Sequence, residues 1–280
     1  METAQDIKNM VREKYSEIAL QSKEVNSSSC CGATCGCGDV SNLMADEYQD
    51  LKGYNPDADL GLGCGLPTEF AKIKKGDTVI DLGSGAGNDC FVARAETGET
   101  GKVIGIDMTE AMINRARINA EKLGYHNIEF RLGEIENMPV TSNSADVIIS
   151  NCVLNLVPDK KKAFQEILRI LKPRGHFSIS DIVLQGALTE KIKQTAEMYA
   201  GCISGAIQKA DYLRIIQELG FTNVTVQKEK AISVPDEILS NYLTAEEMEQ
   251  YKKSGLGIYS VTVYAEKKQE ECCNKDTCCK

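Results

Sequence analysis

The chain has 280 residues, of which 42% are hydrophobic and 26% charged, with a formal net charge of −9. That apolar content supports a large core and excludes wholesale disorder, and the acidic balance excludes nucleic acid as the main partner, because phosphate binding needs a basic face. No apolar run approaches the roughly 18 residues of a membrane span, and residues 1–6 lack the layout of a signal peptide, so a cytoplasmic protein is expected.

Residues 3–22 carry Ile7, Met10, Val11, Tyr15, Ile18 and Ala19 at helical spacing, which predicts an amphipathic N-terminal arm. Residues 23–38 are rich in Ser, Gly and Cys and predict a loop. A polar, Asp-rich stretch then leads into Gly61-Leu62-Gly63-Cys64-Gly65-Leu66-Pro67, whose glycines let the backbone approach a ligand or a second loop. From residue 77 strands and helices alternate. Strands are predicted at 78–82, 102–106, 128–132, 145–150 and 175–184. Helices are predicted at 88–96, at 109–123 with Thr109 as cap, and at 160–171, stopped by Pro173. That alternation predicts an α/β fold with a parallel sheet and helices on both faces. Beyond residue 187 it breaks. Helices at 189–200 and 210–219 and strands at 224–228 and 257–265 predict a C-terminal α+β subdomain, followed by a charged tail. The expected divisions are 1–66, 67–186, 187–267 and 268–280. Lys160-Lys161-Lys162 reads as a solvated helix start.

Asp81-Leu82-Gly83-Ser84-Gly85-Ala86-Gly87 follows a predicted strand and opens a helix, and Asp107 ends the next strand. A carboxylate at that second position can accept both hydroxyls of a ribose. The glycine spacing departs from the G-x-G-x-x-G of dinucleotide sites, and Asp81 would repel a pyrophosphate while attracting an ammonium. S-adenosyl-L-methionine is therefore favoured over NAD. The loop resembles the first motif of the class I S-adenosylmethionine-dependent methyltransferases, a Rossmann-like fold. That resemblance implies donor contacts at Asp81, Gly83, Gly85, Asp107 and Met108, at Gly133, Glu134 and Ile135 around the adenine, and at Asn151.

Twelve cysteines in a chain expected in a reducing compartment point to metal or redox chemistry rather than structural disulfides. Cys30, Cys31, Cys35 and Cys37 form one cluster, and Cys272, Cys273, Cys278 and Cys279 another. Cys90 lies within a predicted helix and is assigned to packing. Cys152 follows the fourth predicted strand, at the sheet edge where ligands of open α/β folds bind. Cys64 and Cys202 sit in glycine-flanked segments that can approach the same cleft. These three contain no C-x-x-C pair, and the chain has only His126 and His176, so zinc fits poorly. A soft trivalent centre that takes three sulfurs fits better. Trivalent arsenic is one, and it keeps a lone pair able to attack a sulfonium methyl group without a general base. The residues alone also fit a small-molecule carbon or nitrogen methyltransferase with packing cysteines, or a non-catalytic thiol sequestrant.

The segments Val11-Arg12-Glu13-Lys14-Tyr15, Leu60-Gly61-Leu62-Gly63-Cys64-Gly65, Ser150-Asn151-Cys152-Val153-Leu154-Asn155-Leu156 and Gly201-Cys202-Ile203-Ser204-Gly205-Ala206 resemble the arsenite S-adenosylmethionine methyltransferases, over roughly residues 10–230. The resemblance implies that Cys152 and Cys202 hold trivalent arsenic. It also implies that Cys64 and an N-terminal cysteine join later binding and disulfide formation. Cys35 is the best match for that cysteine and Cys37 its close rival. Arsenite or its thiol conjugates would be the substrate, and thioredoxin or another dithiol the reductant, with no nucleic acid or membrane partner.

Overall fold

The computed structural model describes residues 3–21, 48–186, 205–232, 236–240, 243–254 and 257–269. The cysteine clusters at both ends, the helix expected at 189–200, and Cys202 lie outside the described residues.

Five parallel strands form the body of one sheet: β1 (Thr78–Leu82), β2 (Lys102–Asp107), β3 (Ile128–Leu132), β4 (Ala145–Asn151) and β5 (Leu171–Gln185). The strand order is β3-β2-β1-β4-β5-β7-β6. From β1 the chain passes first to one side, through β2 and β3, and then to the other, through β4. The gap between β1 and β4 is thus a topological switch point, where open α/β sheets leave a crevice at the carboxyl ends of their strands.

The strands are apolar because both faces are covered. Along β1, Val79 points into a layer with α3 (Asn88–Thr97) and α4 (Glu110–Lys122), among Phe91, Met112 and Ile149. Ile80 points into the opposite layer with α5 (Lys160–Ile170) and α6 (Lys209–Glu218), among Phe164, Phe177 and Tyr212. Helix α5 shows how the sequence dictates this. Asp159 caps its start by accepting the Lys162 N–H, and Ala163, Phe164, Ile167 and Ile170 recur at helical spacing, all fully buried. Each of the larger side chains contributes about 2 kcal/mol by burial. The helix ends at Ile170 as Pro173 approaches. Pro173 itself falls where the β4–β5 register shifts, so its missing N–H costs the ladder nothing.

The sheet is mixed rather than purely parallel. The strands expected in a C-terminal subdomain, β6 (Phe221–Ile232) and β7 (Gly257–Lys267), join the same sheet. β7 runs antiparallel between β5 and β6. The physical reason is the edge: β5 alone would expose a long row of unpaired backbone groups, and β7 pairs it from His176 to Gln185. Short helices α2 (Pro67–Phe70) and α7 (Asp236–Leu239), and α8 (Ala245–Lys253), were not foreseen. The start of α8 was written in the sequence as Thr244-Ala245-Glu246-Glu247. Thr244 and Glu247 cap one another reciprocally. Lys160 is also corrected: it is half-buried, with its charge near the buried Asp181, while Lys161 and Lys162 are exposed. No helix among the described residues is long and apolar enough to cross a membrane.

Candidate active site

A cleft opens at the carboxyl ends of β1, β2 and β4. Its floor is the loop after β1, where Gly83, Gly85 and Gly87 have φ of +68°, +51° and +100°. The first and second glycines serve different purposes. A Cβ on Gly83 would lie 2.5 Å from Val153, whereas a Cβ on Gly85 would meet nothing within 4 Å and would project into open space. Beside it, the buried Ser84 Oγ has no hydrogen-bond partner among the described residues. Such a cradle, open and polar, fits a ligand that brings its own hydrogen-bonding groups. Asp107 and Met108 line the cleft from β2, Glu134 and Ile135 from the segment after β3, and Asn151 and Cys152 from the end of β4. Asp81, Gly133 and Cys64 do not reach its wall.

Helix α1 (Ala4–Ala19) roofs the cleft with Lys8, Val11 and Tyr15. Lys8 Nζ lies 2.8 Å from Glu134 and 2.5 Å from Glu136, Arg12 pairs with Glu134 at 3.5 Å, and Arg12 Nε donates to the Met108 carbonyl. At the other end of the helix Arg115 donates to the Ala19 and Gln21 carbonyls, fastening α1 to α4.

Of three carboxylates near the glycine loop, Asp81 is buried and Asp89 and Asp107 are partly buried. Asp107 accepts the N–H groups of Gly85 at 3.0 Å and Thr109 at 2.8 Å, yet burial still raises its pKa. Asp81, within β1, accepts the Cys90 thiol at 3.3 Å. Burial, and then the charge of Asp89, push its pKa well up. Asp89, in the first turn of α3, is pushed up to about 6 by burial, against the lowering effect of the Tyr48 hydroxyl and the Asn151 amide. None of the three has a lysine or arginine ion pair among the described residues. The arrangement suits a cationic ligand, whose charge would offset the cost of burying the acids. Burial, followed by the charge of Asp81, pushes the Cys90 thiol well up, which keeps it a protonated donor.

Cys64 and Cys152 are joined as a disulfide with Cα atoms 5.8 Å apart. Both are buried, in a cluster that includes Leu184, Ala206 and Ile258. Cys152 has φ +59°, a left-handed conformation that turns the chain sharply off β4, and its N–H donates to the Ser180 carbonyl at 2.8 Å. Cys64 is held at its carbonyl by Ser260 Oγ and at its N–H by Asn151 Oδ1, at 3.0 Å. The structure therefore brings Cys64 and Cys152 together at the cleft edge, while Cys35 and Cys202 lie outside the described residues. Sequence reasoning missed Lys8, Tyr48, Ser84 and Asp89. Asp89 was findable, since it stands two residues after the last loop glycine. Tyr48 gave no signal, because it reaches Asp89 and Asn151 only through the fold.

A family model described as a methyltransferase domain matches residues 73–220, over half of the chain. An arsenite methyltransferase of Halobacterium salinarum is 40% identical over 236 residues, which are 79% of this chain and 59% of that protein. One from Aquipseudomonas alcaligenes is 32% identical over 240 residues, 83% of this chain and 67% of that protein. The chain thus spans three fifths to two thirds of the length of these relatives. Among solved structures, an arsenic(III) S-adenosylmethionine methyltransferase from Chlamydomonas reinhardtii is 33% identical, with a TM-score of 0.62. That match covers 75% of this chain and 69% of the other. The YcgJ protein of Bacillus subtilis, at 19% identity and a TM-score of 0.61, shows the fold alone.

Proposed function

The chain belongs to the arsenite methyltransferase family, and on that premise we propose that it transfers a methyl group from S-adenosyl-L-methionine to trivalent arsenic held by cysteine thiolates. The observation that carries this reading is the meeting of Cys64 and Cys152 at the edge of the glycine-loop cleft. The bound donor supplies an electrophilic methyl group on a positively charged sulfur.

The chain's own residues do the rest. Gly83 and Gly85 would leave room for the donor, Asp107 would receive its ribose, Glu134 and Ile135 would border its adenine, and Asp81 with Asp89 would stand beside its cationic end, which would favour their charged forms. Cys152, Cys202 and Cys64 hold the arsenic as thiolates. Chain connectivity supports Cys202 as a ligand. Gly205, three residues further on, packs so closely on Asn155 that a Cβ would fall 1.8 Å from its carbonyl oxygen, and Asn155 is three residues from Cys152.

In the reading's thiol cycle, the arsenic lone pair takes the methyl group and arsenic becomes pentavalent. Two cysteine thiolates then give up two electrons to return it to the trivalent state, and a disulfide forms between them. A dithiol such as thioredoxin reopens that disulfide and is itself oxidised. The Cys64–Cys152 bond is the oxidised end of such a cycle. Cys35 would be the N-terminal member, the reaction would run in the cytoplasm, and arsenite or its thiol conjugates would enter from solution.

The test is product analysis by mass spectrometry with arsenite, a labelled methyl donor and a dithiol. Methylated arsenic is expected from the native chain, with a fall of at least about a hundredfold in Cys152→Ser. Unchanged arsenite methylation in that variant would refute the reading in favour of a carbon or nitrogen methyltransferase with packing cysteines.

A further inference from the structure

Asn151 touches both members of the disulfide. It precedes Cys152 in the chain, and its side-chain Oδ1 accepts the Cys64 N–H at 3.0 Å. Its Nδ2 donates to the Gly65 carbonyl at 2.8 Å and to the Tyr48 hydroxyl at 2.5 Å, and it lies 3.3 Å from Asp89 Oδ2. One amide therefore grips the backbone on both sides of Cys64. The amide itself is fixed. Gly63 packs so tightly against it that a Cβ there would come within 2.6 Å of Nδ2. The Tyr48 hydroxyl, which accepts from Nδ2, donates in turn to Asp89 Oδ1 at 2.9 Å. A flipped amide would set its NH₂ group against the Cys64 N–H and its oxygen against the Gly65 carbonyl, so only one orientation satisfies every partner.

We propose that Asn151 is a positioning residue for the thiol–disulfide step. By clamping the Cys64 loop to the end of β4 it presets the Cys64 sulfur against Cys152, with Tyr48 and Asp89 as its buttress. The inference rests on reading Cys64 and Cys152 as the redox pair. Its physical content is an effective concentration: a loop held in register presents one thiol to the other far more often than a free loop does. When the bond closes, the two thiols lose two protons and two electrons to an added disulfide. With oxidised glutathione as acceptor, two molecules of reduced glutathione are released.

The experiment equilibrates the full chain in glutathione buffers of graded ratio, with neither arsenic nor methyl donor present. The Cys64–Cys152 peptide is quantified by thiol trapping and mass spectrometry. A typical net hydrogen bond corresponds to about a fivefold change in an equilibrium constant. Asn151→Ala loses both contacts to the Cys64 loop and is expected to lower the effective concentration about 25-fold. Tyr48→Phe keeps the bond to the Cys64 N–H but unseats the amide, and about fivefold is expected. A residue that only supported the fold would lower the melting temperatures of reduced and oxidised protein alike and leave this equilibrium in place. Equilibria within twofold of the native value in both variants would overturn the proposal. Should Asn151→Ala fail to fold, Tyr48→Phe alone decides it by the same criterion. Because no arsenic enters this assay, its failure is distinct from failure of the arsenite reading, which native turnover decides.

Discussion

Lys8 offers a direct test of the view that α1 closes the donor cleft. Its ammonium lies between Glu134 and Glu136, at 2.8 and 2.5 Å, and its side chain is 15% exposed. Glu136 is 6% exposed at its side chain and Glu134 36%. Lys8→Met would leave Glu136 as a buried carboxylate without its cation. Removing one partner of a fully buried pair costs about 3–5 kcal/mol. Glu134 is partly solvated and keeps Arg12 at 3.5 Å, so that contact is discounted. A loss of about 2 kcal/mol remains, or about 4–8 °C in melting temperature for a domain of this size. The double variant Lys8→Met/Glu136→Gln removes the orphaned charge and keeps an oxygen to accept the Asp159 N–H, which Glu136 Oε1 accepts at 3.2 Å. At least about 1 kcal/mol of the loss should return, and a double-mutant cycle by thermal unfolding measures it. Calorimetry should also show weaker binding of S-adenosyl-L-methionine in the single variant, because Lys8 lines the cleft. Additive losses in the cycle, together with unchanged donor affinity, would refute the role given to the arm.

Gly85→Ala should separate stability from binding. The left-handed backbone costs about 1–2 kcal/mol, while the added methyl group meets no protein atom and enters the cleft, so donor affinity should fall at least about tenfold by calorimetry. Asp181 should set a pH dependence of stability. Burial beside Tyr212 pushes it up to about 7 despite the charge of Lys160 and the Ile182 N–H, so the folded chain holds a proton that the unfolded chain has lost from about pH 4 upward. Stability from this group therefore declines as pH rises from about 4 to 7. Asp181→Asn should flatten that slope and raise the melting temperature at pH 8 by several degrees, with little change at pH 4, and parallel pH profiles would refute this.

The part of the fold legible in the sequence was the part written in local periodicity. The five parallel strands emerged because each is a short apolar run bounded by turns, and α5 because Ala163, Phe164, Ile167 and Ile170 mark one face. The membership of β6 and β7 in the same sheet was not legible, since strand pairing is a long-range choice that satisfies the open edge of β5. The site divides in the same way. Gly83, Gly85 and Asp107 could be read because the loop geometry needs those residue types in order along the chain. Lys8 and Tyr48 could not be placed in that way, since each acts through partners far away in sequence: Lys8 on Glu134, and Tyr48 on Asp89 and Asn151.

The distribution of charge along the cleft explains why one end is closed by the protein and the other is left for the ligand. Around Glu134 and Glu136 the chain neutralises itself, with Lys8 and Arg12 reaching over from α1. Around the glycine loop it does not: Asp81, Asp89 and Asp107 are all raised by burial, and their partners are neutral donors, namely Cys90, Tyr48, Asn151 and backbone N–H groups. Neutral donors hold such acids in place, and a cation beside them would favour their charged forms. A sulfonium bearing an amino-acid ammonium would meet the uncancelled end, and an uncharged adenine the cancelled one. On the proposed reading, that polarity would turn the donor's reacting end toward Cys152, which lines the cleft.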